Sequence, residues 1–472
     1  MSKRIILNAF HMNCVVHQSP GLWTEPGDKM ESYTDLATWI ELAKLLERGF
    51  FDALFLADVV GVYDVFRGNR EAAVANAAQI PVNDPILLIP AMAAATQHLG
   101  FAWTSSVLQN HPFAFARTVS TLDHLTRGRL AWNIVTSYLE SGARSFGRPG
   151  LPLHDERYEI AEEYVDICYR LWESSWEDGA VVKDRRQGIY ADPRRVHPVE
   201  VDGKYFQVNG VHLSEPSPQR TPLLYQAGSS PRGRQFAAKH AEVVFVLGPN
   251  PGVVAQYVAD TRERARTFGR DAQDIKFLAY VKVITGGTEA EARRKYDHFL
   301  ENISYDASMA LLSGWSGIDF GQFEPDQPLE YVETNAVRTL VHGFTAADPT
   351  RKWTLRDLAR YVGIGGAGPV IVGAPEQVAD ELQKWIDVGV DGFNLAYAVT
   401  PGSFADFVDG VVPVLQGRGL AQRAYEEGTL RERVYGGGQR RLLDRHPGAR
   451  HRRPAASLGA PAERRKVTVP AA

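Results

Sequence analysis

Short apolar runs alternate with longer stretches of helical periodicity along most of the chain, and this alternation restricts the fold more than any other feature. Residues 5–10 (Ile-Ile-Leu-Asn-Ala-Phe) read as a buried strand, and 35–46 carry apolar residues at helical spacing. Residues 52–58 read as a second strand that ends on a carboxylate. A helix over 86–96 opens at the turn Asn83-Asp84-Pro85, and a third strand spans 99–106. A helix over 113–125 closes at Gly128-Arg129 and leads into a fourth strand, 130–135. After His154, the residues Ile160, Tyr164, Ile167, Cys168 and Leu171 form one apolar helical stripe. Strands are expected over 222–227, 242–247, 275–284 and 391–397, with a helix over 378–386. Strand-then-helix order argues for parallel strands joined by crossover helices. About eight strands predict an α/β fold closed on itself as a TIM (β/α)8 barrel. An open doubly wound sheet is the alternative.

Two insertions interrupt the rhythm. Residues 177–218 are rich in turn formers, with Tyr205-Phe206-Gln207-Val208 as a small hairpin strand. Residues 300–370 look irregular, with Gly, Trp and Pro scattered through them. In a barrel such insertions lie over the active-site face, and the second is the candidate lid. Residues 1–435 are therefore expected to form one barrel domain. Residues 436–472 are Arg-rich, Pro-rich and poor in aromatics, and read as a mostly disordered tail or an oligomer arm.

A net charge of −4 gives no basic field for nucleic acid. Two cysteines, Cys14 and Cys168, make neither a disulfide framework nor a zinc spacing. The N-terminal apolar run is too short for a signal-peptide core, and no apolar stretch reaches the ~18 residues of a membrane span. The expectation is a cytoplasmic protein, in which the sequon Asn302-Ile303-Ser304 carries no meaning.

Gly363-Ile364-Gly365-Gly366-Ala367-Gly368 matches GxGxxG, but it follows the helical Leu358-Ala359-Arg360-Tyr361, and Pro369 stands where a helix should begin. A dinucleotide fingerprint needs strand, turn and helix, so this reads as a flexible loop. His154-Asp155-Glu156-Arg157-Tyr158 sits at the start of a long helix. It reads either as a cap, with Asp155 at the N-cap, or as an anion site on the helix N-terminus. Ser229-Ser230-Pro231-Arg232-Gly233-Arg234 lies between a strand and a helix. It suits a phosphate cradle or an ordinary cap. Asp58 and Thr104 lie at strand ends, where barrels place site residues and where turn hydrogen bonds are also common. Cys14 and His17 could form a thiolate and base pair, but no third orienting group is evident, so they read as pocket lining.

These segments resemble the bacterial-luciferase-like flavin monooxygenases. The branch is that of the nitrilotriacetate, dibenzothiophene-sulfone, dimethyl-sulfide and long-chain alkane monooxygenases. The resemblance spans residues 3 to about 435. It rests on Leu7-Asn8-Ala9-Phe10 with Met12-Asn13-Cys14, on the run from Arg48 through Phe55 to Asp58, and on Ser120-Thr121-Leu122-Asp123-His124-Leu125. It continues through Trp132-Asn133-Ile134-Val135-Thr136-Ser137, His154 to Tyr158, Ser217-Pro218-Gln219-Arg220 and Gln226-Ala227-Gly228.

The resemblance implies a TIM barrel that binds reduced FMN (FMNH2) at its C-terminal face, supplied by a separate NAD(P)H:flavin reductase. It implies oxygenation of a small organic substrate with O2 and a homodimer or homotetramer. Flavin contacts carry over to Asp58, Thr104, His154, Tyr158 and Ser230, with Ser137 and Ser229 added. The catalytic and substrate set is Cys14, His17, Tyr63 and Tyr138. Tyr138 stands where the alkane-oxidising members carry histidine, and Leu311 falls near a second such position. With His17-Gln18-Ser19, these departures point to a dialkyl sulfide rather than an alkane or a sulfone. A deazaflavin-dependent dehydrogenase and a flavin-binding subunit without turnover are the remaining alternatives.

Overall fold

The computed structural model describes residues 4–328, 353–366 and 368–453. Eight parallel strands form a closed ring: β1 (Ile6–Met12), β2 (Ala53–Ala57), β3 (Gly100–Ser106), β4 (Leu130–Val135), β5 (Leu223–Gln226), β6 (Val243–Val246), β7 (Lys276–Thr285) and β8 (Gly392–Ala396). Each of β1 to β5 pairs with the next, β5 pairs with β6, β1 pairs with β8, and β8 pairs with β7. β6 pairing with β7 closes the barrel. The long β7 also extends beyond the ring, where residues 282–285 pair with an outer strand, Val370–Gly373.

The ring is a packed core. Phe10 meets Phe245 at 5.0 Å and Phe55 at 5.4 Å between centroids, and Phe55 meets Tyr225 at 5.6 Å. Such edge-on aromatic packing fills a small barrel completely. Asn8 donates to the Tyr225 hydroxyl at 3.1 Å inside it.

Around the ring lie α1 (Leu36–Arg48), α2 (Pro112–Leu125), α3 (His154–Tyr169), α4 (Pro231–His240), α5 (Pro251–Thr267), α6 (Tyr305–Ser316), α7 (Leu355–Gly365) and α8 (Pro375–Asp387). Their starts follow local chemistry. Asp35 accepts from Ala37 N, Ser230 from Gly233 N and Thr354 from Asp357 N, each satisfying an otherwise free donor of the first turn. Gly363 and Gly365 belong to the last turn of α7 rather than to a loop, and Gly366 ends it at φ 64°.

The N-terminal end of the ring is stoppered by a short helix, Leu430–Tyr435. Its Leu430 and Val434 join the aromatic cluster inside the barrel. Between them Arg431, fully buried, donates to Glu242 at 2.7 and 2.8 Å and to the carbonyls of Thr221 and Pro222. Glu242 also accepts from Leu224 N, so both charged groups have several partners.

Two expectations change and a third, the small hairpin strand in the first insertion, is met. The described part of the tail, 436–453, is docked on the barrel rather than disordered: Leu442 and His446 are buried, and Arg441, Arg445 and Arg452 pair with Asp178, Asp274 and Glu173. Its composition hid this because the matching carboxylates lie on the barrel; residues 454–472 lie outside the described residues. The described part of the 300–370 insertion is helical. There α6 and α7 pack with Tyr63, Phe66 and Leu139 in a second apolar cluster, while 329–352 lie outside the described residues. The first insertion forms two hairpins, one pairing Pro198–Asp202 with Gln207–Val211.

Removing one partner of a buried ion pair leaves an uncompensated charge. Arg431→Ala should therefore destabilise the fold by about 3–5 kcal/mol, and Arg431→Met with Glu242→Leu should recover part of that loss. Urea unfolding of the three proteins checks this; a loss below about 1 kcal/mol in the single variant would remove the stopper from the stability argument.

Candidate active site

Parallel closure brings the loops after all eight strands to one mouth. After β5, Ser229-Ser230-Pro231 turns directly into α4. Pro231 suits the first helical position because its missing N–H costs nothing there. Tyr158, in the first turn and a half of α3, points its hydroxyl onto this turn and shares hydrogen bonds with Ser230 and Thr136. A Cβ on Gly228 or on Gly233 would come within 2.7 Å of that hydroxyl, so both glycines are spaces the tyrosine needs. The Arg232 guanidinium lies 5.8 Å from the Tyr158 ring, and Arg234 lies 5.1 Å from the Tyr257 ring. Arg157 donates to the Ser137 carbonyl, while its buried Nε has no partner. Hydroxyls, guanidinium groups and the N-terminus of α4 thus converge. Donors of this kind suit a phosphate.

His154 begins α3 at the edge of this cradle. Its Nδ1 pairs with Asp155 Oδ1 at 2.7 Å, and its ring meets Tyr158 edge-on at 5.3 Å. Asp155 is not the N-cap: that position is Leu153, with no side-chain cap, and Asp155 lies inside the first turn. The imidazole took the carboxylate that the backbone could have used.

Asp58 follows β2, Thr104 lies on β3, and Ser137 follows β4, the strand beside β5, where its carbonyl meets Arg157 of the cradle. Asp58 directly follows β2, and burial, with the nearby Asp84 adding to it, pushes its carboxyl up to about 7. A cavity of about 740 Å³ opens beside it, walled by Val59, Val62, Pro81, Trp103 and Phe146. Thr104 Oγ1 accepts from Asn133 at 3.0 Å. Asn133 Oδ1 on β4 and Gln226 Oε1 on β5 are buried without partners, so acceptors stand ready along this floor. Ser137 adopts φ 63° and donates to Ser106 Oγ at 2.7 Å.

Cys14 and His17 follow β1, and both are buried. The Cys14 thiol donates to Val16 O at 3.2 Å, and burial, then Asp58, pushes it far above the ordinary thiol range. This environment disfavours a thiolate nucleophile. Burial likewise holds His17 well below its usual range, with its ring 4.6 Å from Phe10. Tyr63, fully buried, donates to Gln79 Oε1 at 2.9 Å and meets the Tyr138 hydroxyl in a short contact. Gln79 in turn donates to the His17 carbonyl at 2.8 Å. The structure therefore joins Tyr63, Tyr138 and the His17 backbone in one network.

Two participants escaped the sequence reading. Lys282, buried on β7, donates to Gln18 O at 3.1 Å and to Ser19 Oγ at 2.6 Å, and burial lowers its amine to about 7. A lysine inside the apolar run Val281-Lys282-Val283-Ile284 was its signal. Trp315 on α6 donates to the Tyr63 hydroxyl at 3.1 Å and no local pattern announces it. Among the described residues no cluster of three His, Cys, Asp or Glu could hold a metal, and no helix is long and apolar enough to cross a membrane.

The model of one family, luciferase-like monooxygenase, matches residues 9–392. The dimethyl-sulfide monooxygenase of Hyphomicrobium sulfonivorans is 49% identical over 453 residues, 96% of this chain and 94% of that protein. The crystal structure of DmoA from the same organism superposes with a TM-score of 0.91 at 48% identity, covering 98% of this chain and 99% of that one. The long-chain alkane monooxygenase of Geobacillus thermodenitrificans is also 49% identical, over 96% of this chain and 99% of its own length. A riboflavin lyase solved with modified FMN and riboflavin superposes with a TM-score of 0.87 at 34% identity, over 96% of this chain and 100% of that one.

A carboxyl raised from 3.8 to about 7 binds a proton in the folded chain that the unfolded chain releases. Its contribution to stability is full below pH 4 and is lost as pH rises through 7. Asp58→Asn should therefore raise the melting temperature relative to wild type at pH 8, by the equivalent of about 1–3 kcal/mol, and much less at pH 4.5. Scanning calorimetry of the flavin-free protein at both pH values checks it; an equal difference at the two would reject the raised carboxyl.

Proposed function

The chain belongs to the luciferase-like monooxygenase family, and from this we propose that it is the oxygenase component of a two-component system. It takes reduced FMN from a separate NAD(P)H:flavin reductase and transfers one oxygen atom of O2 to a small apolar or organosulfur substrate, such as a dialkyl sulfide. The observation that carries the FMN assignment is the donor-rich cradle of Ser229, Ser230 and Tyr158 at the N-terminus of α4, which is the chemistry a flavin phosphate needs.

In this reading His154, Tyr158, Ser229 and Ser230 hold the phosphate, while Asp58, Thr104 and Ser137 face the ring system. Reduced flavin, when bound, supplies the electrons and the place where O2 is activated. The chain's own part is to position, to keep water out and to manage a proton. The aromatic plug of Phe10, Phe55, Tyr225 and Phe245 seals the barrel beneath the site. With its carboxyl near 7, Asp58 can hold a proton or release it at neutral pH, as a general acid or base must.

The dimethyl-sulfide and long-chain alkane monooxygenases are equally similar to the chain, so the dialkyl sulfide assignment is supported by two departures from the alkane-oxidising pattern. Tyr138 is tied to Tyr63, and Leu311 is fully buried in the apolar cluster of α6, so neither position offers an imidazole.

Oxygen uptake with FMNH2 from a generic reductase, measured across dialkyl sulfides, alkanes and sulfones, tests the reaction. Stimulation by sulfides is expected; stimulation by none of the panel would sink the substrate assignment. Tyr158→Phe and Ser230→Ala should each weaken anaerobic FMNH2 binding about 10-fold, the worth of a hydrogen bond to a charged group. Reduced riboflavin, which lacks the phosphate, should bind both variants like wild type. Equal losses for the two flavins would place these residues away from the phosphate.

A further inference from the structure

The N-terminal rim of the barrel holds positive charge that the proposed reaction does not use. Between the starts of β3 and β4 and the stopper helix lies a pocket of about 410 Å³. Its lining includes His98, Arg127, Arg129, Thr429 and Arg440, and the one carboxylate among its described lining residues is Glu427. Arg129 is 5% exposed, and its guanidinium donates only to uncharged oxygens: the carbonyls of Ala93, Leu99 and Thr126 and the Thr96 hydroxyl. Burial, and then the charge of Arg433, lowers it to about 10. Arg440 is exposed and reaches Glu432 only at 3.5 Å.

Arg433 is less well served still. It is 4% exposed, and none of its three guanidinium nitrogens has a hydrogen-bond partner among the described residues. The Asp52 and Glu47 charges act on it, but both carboxylates are committed elsewhere. Asp52 holds Arg4 at 2.9 and 3.1 Å and accepts from Leu7 N. Glu47 Oε1 accepts from the backbone N–H groups of Gln97, His98 and Leu99. A buried guanidinium in this position is costly unless a further negative charge compensates it. Two contacts connect Arg433 to the pocket. Its backbone N–H donates to the Thr429 carbonyl, so the two residues lie one turn apart on the same side of the stopper helix. Its guanidinium lies 5.5 Å from the Tyr425 ring, and that ring stacks on His98 of the lining at 4.7 Å.

We propose that this pocket binds a phosphate group, and that the bound charge compensates Arg433 and fastens the stopper in the base of the barrel. Guanidinium forks suit a tetrahedral oxyanion, which presents several acceptors at once. The lining comes from the residues just before β3, just before β4 and just before the stopper helix, so a ligand there bridges the ring to its stopper. A ligand held only by the folded chain stabilises it by linkage. The volume admits inorganic phosphate or the phosphate of a small ester, and the same side chains would read both. The site lies at the rim opposite the flavin cradle, and the inference is independent of the flavin reading.

The test is hydrogen exchange read by mass spectrometry on the full-length protein, at constant ionic strength, in inorganic phosphate, glycerol phosphate or chloride. Phosphate should slow exchange in peptides covering 425–435, and the effect should saturate, while peptides from α5 and α8 stay unchanged. Arg127→Gln and Arg440→Gln, both at exposed positions, should each raise the phosphate concentration for half protection about 10-fold. Ser230→Ala, altered at the other rim, should respond like wild type. Arg433→Met keeps the length without the charge; it should melt higher than wild type in chloride and gain nothing from phosphate. Protection at lower concentrations of glycerol phosphate than of phosphate supports the site with an ester as its source; the reverse order supports it with the free ion. Equal protection by phosphate and chloride, or equal slowing of all peptides, would reveal a general salt effect and overturn the inference. So would a response lost in Ser230→Ala, which puts the phosphate in the flavin cradle. Protection at 425–435 that follows protein concentration without phosphate would give the pocket to a second copy of the chain and overturn it too. If Arg433→Met does not fold, Arg127→Gln and Arg440→Gln decide between these outcomes.

Discussion

The hydrogen bonds between β6 and β7 are the constraint on which the rest of the molecule depends. Without them the eight strands would form an open sheet with two edges. With them, every backbone group of the ring finds a neighbour, and all strands end on the same rim. Residues far apart in sequence, such as Cys14, Asp58, Thr104, Tyr158 and Ser230, meet around one opening for that reason. Closure also leaves a narrow interior that aromatic rings fill, so that opening has a floor rather than a channel.

The two rims carry different burdens. At the C-terminal rim, polar atoms are left without partners (Asn133 Oδ1, Gln226 Oε1 and Arg157 Nε), and carboxyl and amine groups are moved toward neutrality by burial. Such groups lower the stability of the empty fold and suit a site that receives a ligand. At the N-terminal rim Arg431 and Glu242 are saturated with hydrogen bonds, and Arg445 and Asp274 tie down the chain beyond them. The division is not complete, because Arg433 on the stopper helix is buried with no hydrogen-bond partner for its guanidinium among the described residues.

The ring strands were legible in the sequence because strands buried on both faces must be continuously apolar, and the helices between them keep one apolar stripe. Local chemistry also identified Ser230, whose cap geometry is a matter of neighbouring residues. Pairings between distant residues were not legible. The arginines of 436–453 resemble a solvated tail until Asp178, Asp274 and Glu173 are placed beside them. Asp155 looks like a cap until His154 competes for it. Trp315 reaches Tyr63 across 252 positions, and only the folded chain shows that a helix of the insertion completes the site. The candidate flavin residues came from family resemblance, since spacing alone could not separate a cap from an anion site.

The stopper has a consequence for the order in which the protein can be made. Glu242 leaves the ribosome 189 residues before the arginine that neutralises it. All eight ring strands precede Arg431, and the last of them, β8, lies only some 40 positions ahead of it, so the whole ring is synthesised before that carboxylate gains its partner. A nascent chain therefore holds a barrel that is open at its base and carries an unpaired charge there. Long-range pairings of this kind are slow to form, because the loop must be closed before the contact repays it. Completion of the fold thus awaits the synthesis of residue 431, and a chain that stops short of it retains a ring with no base.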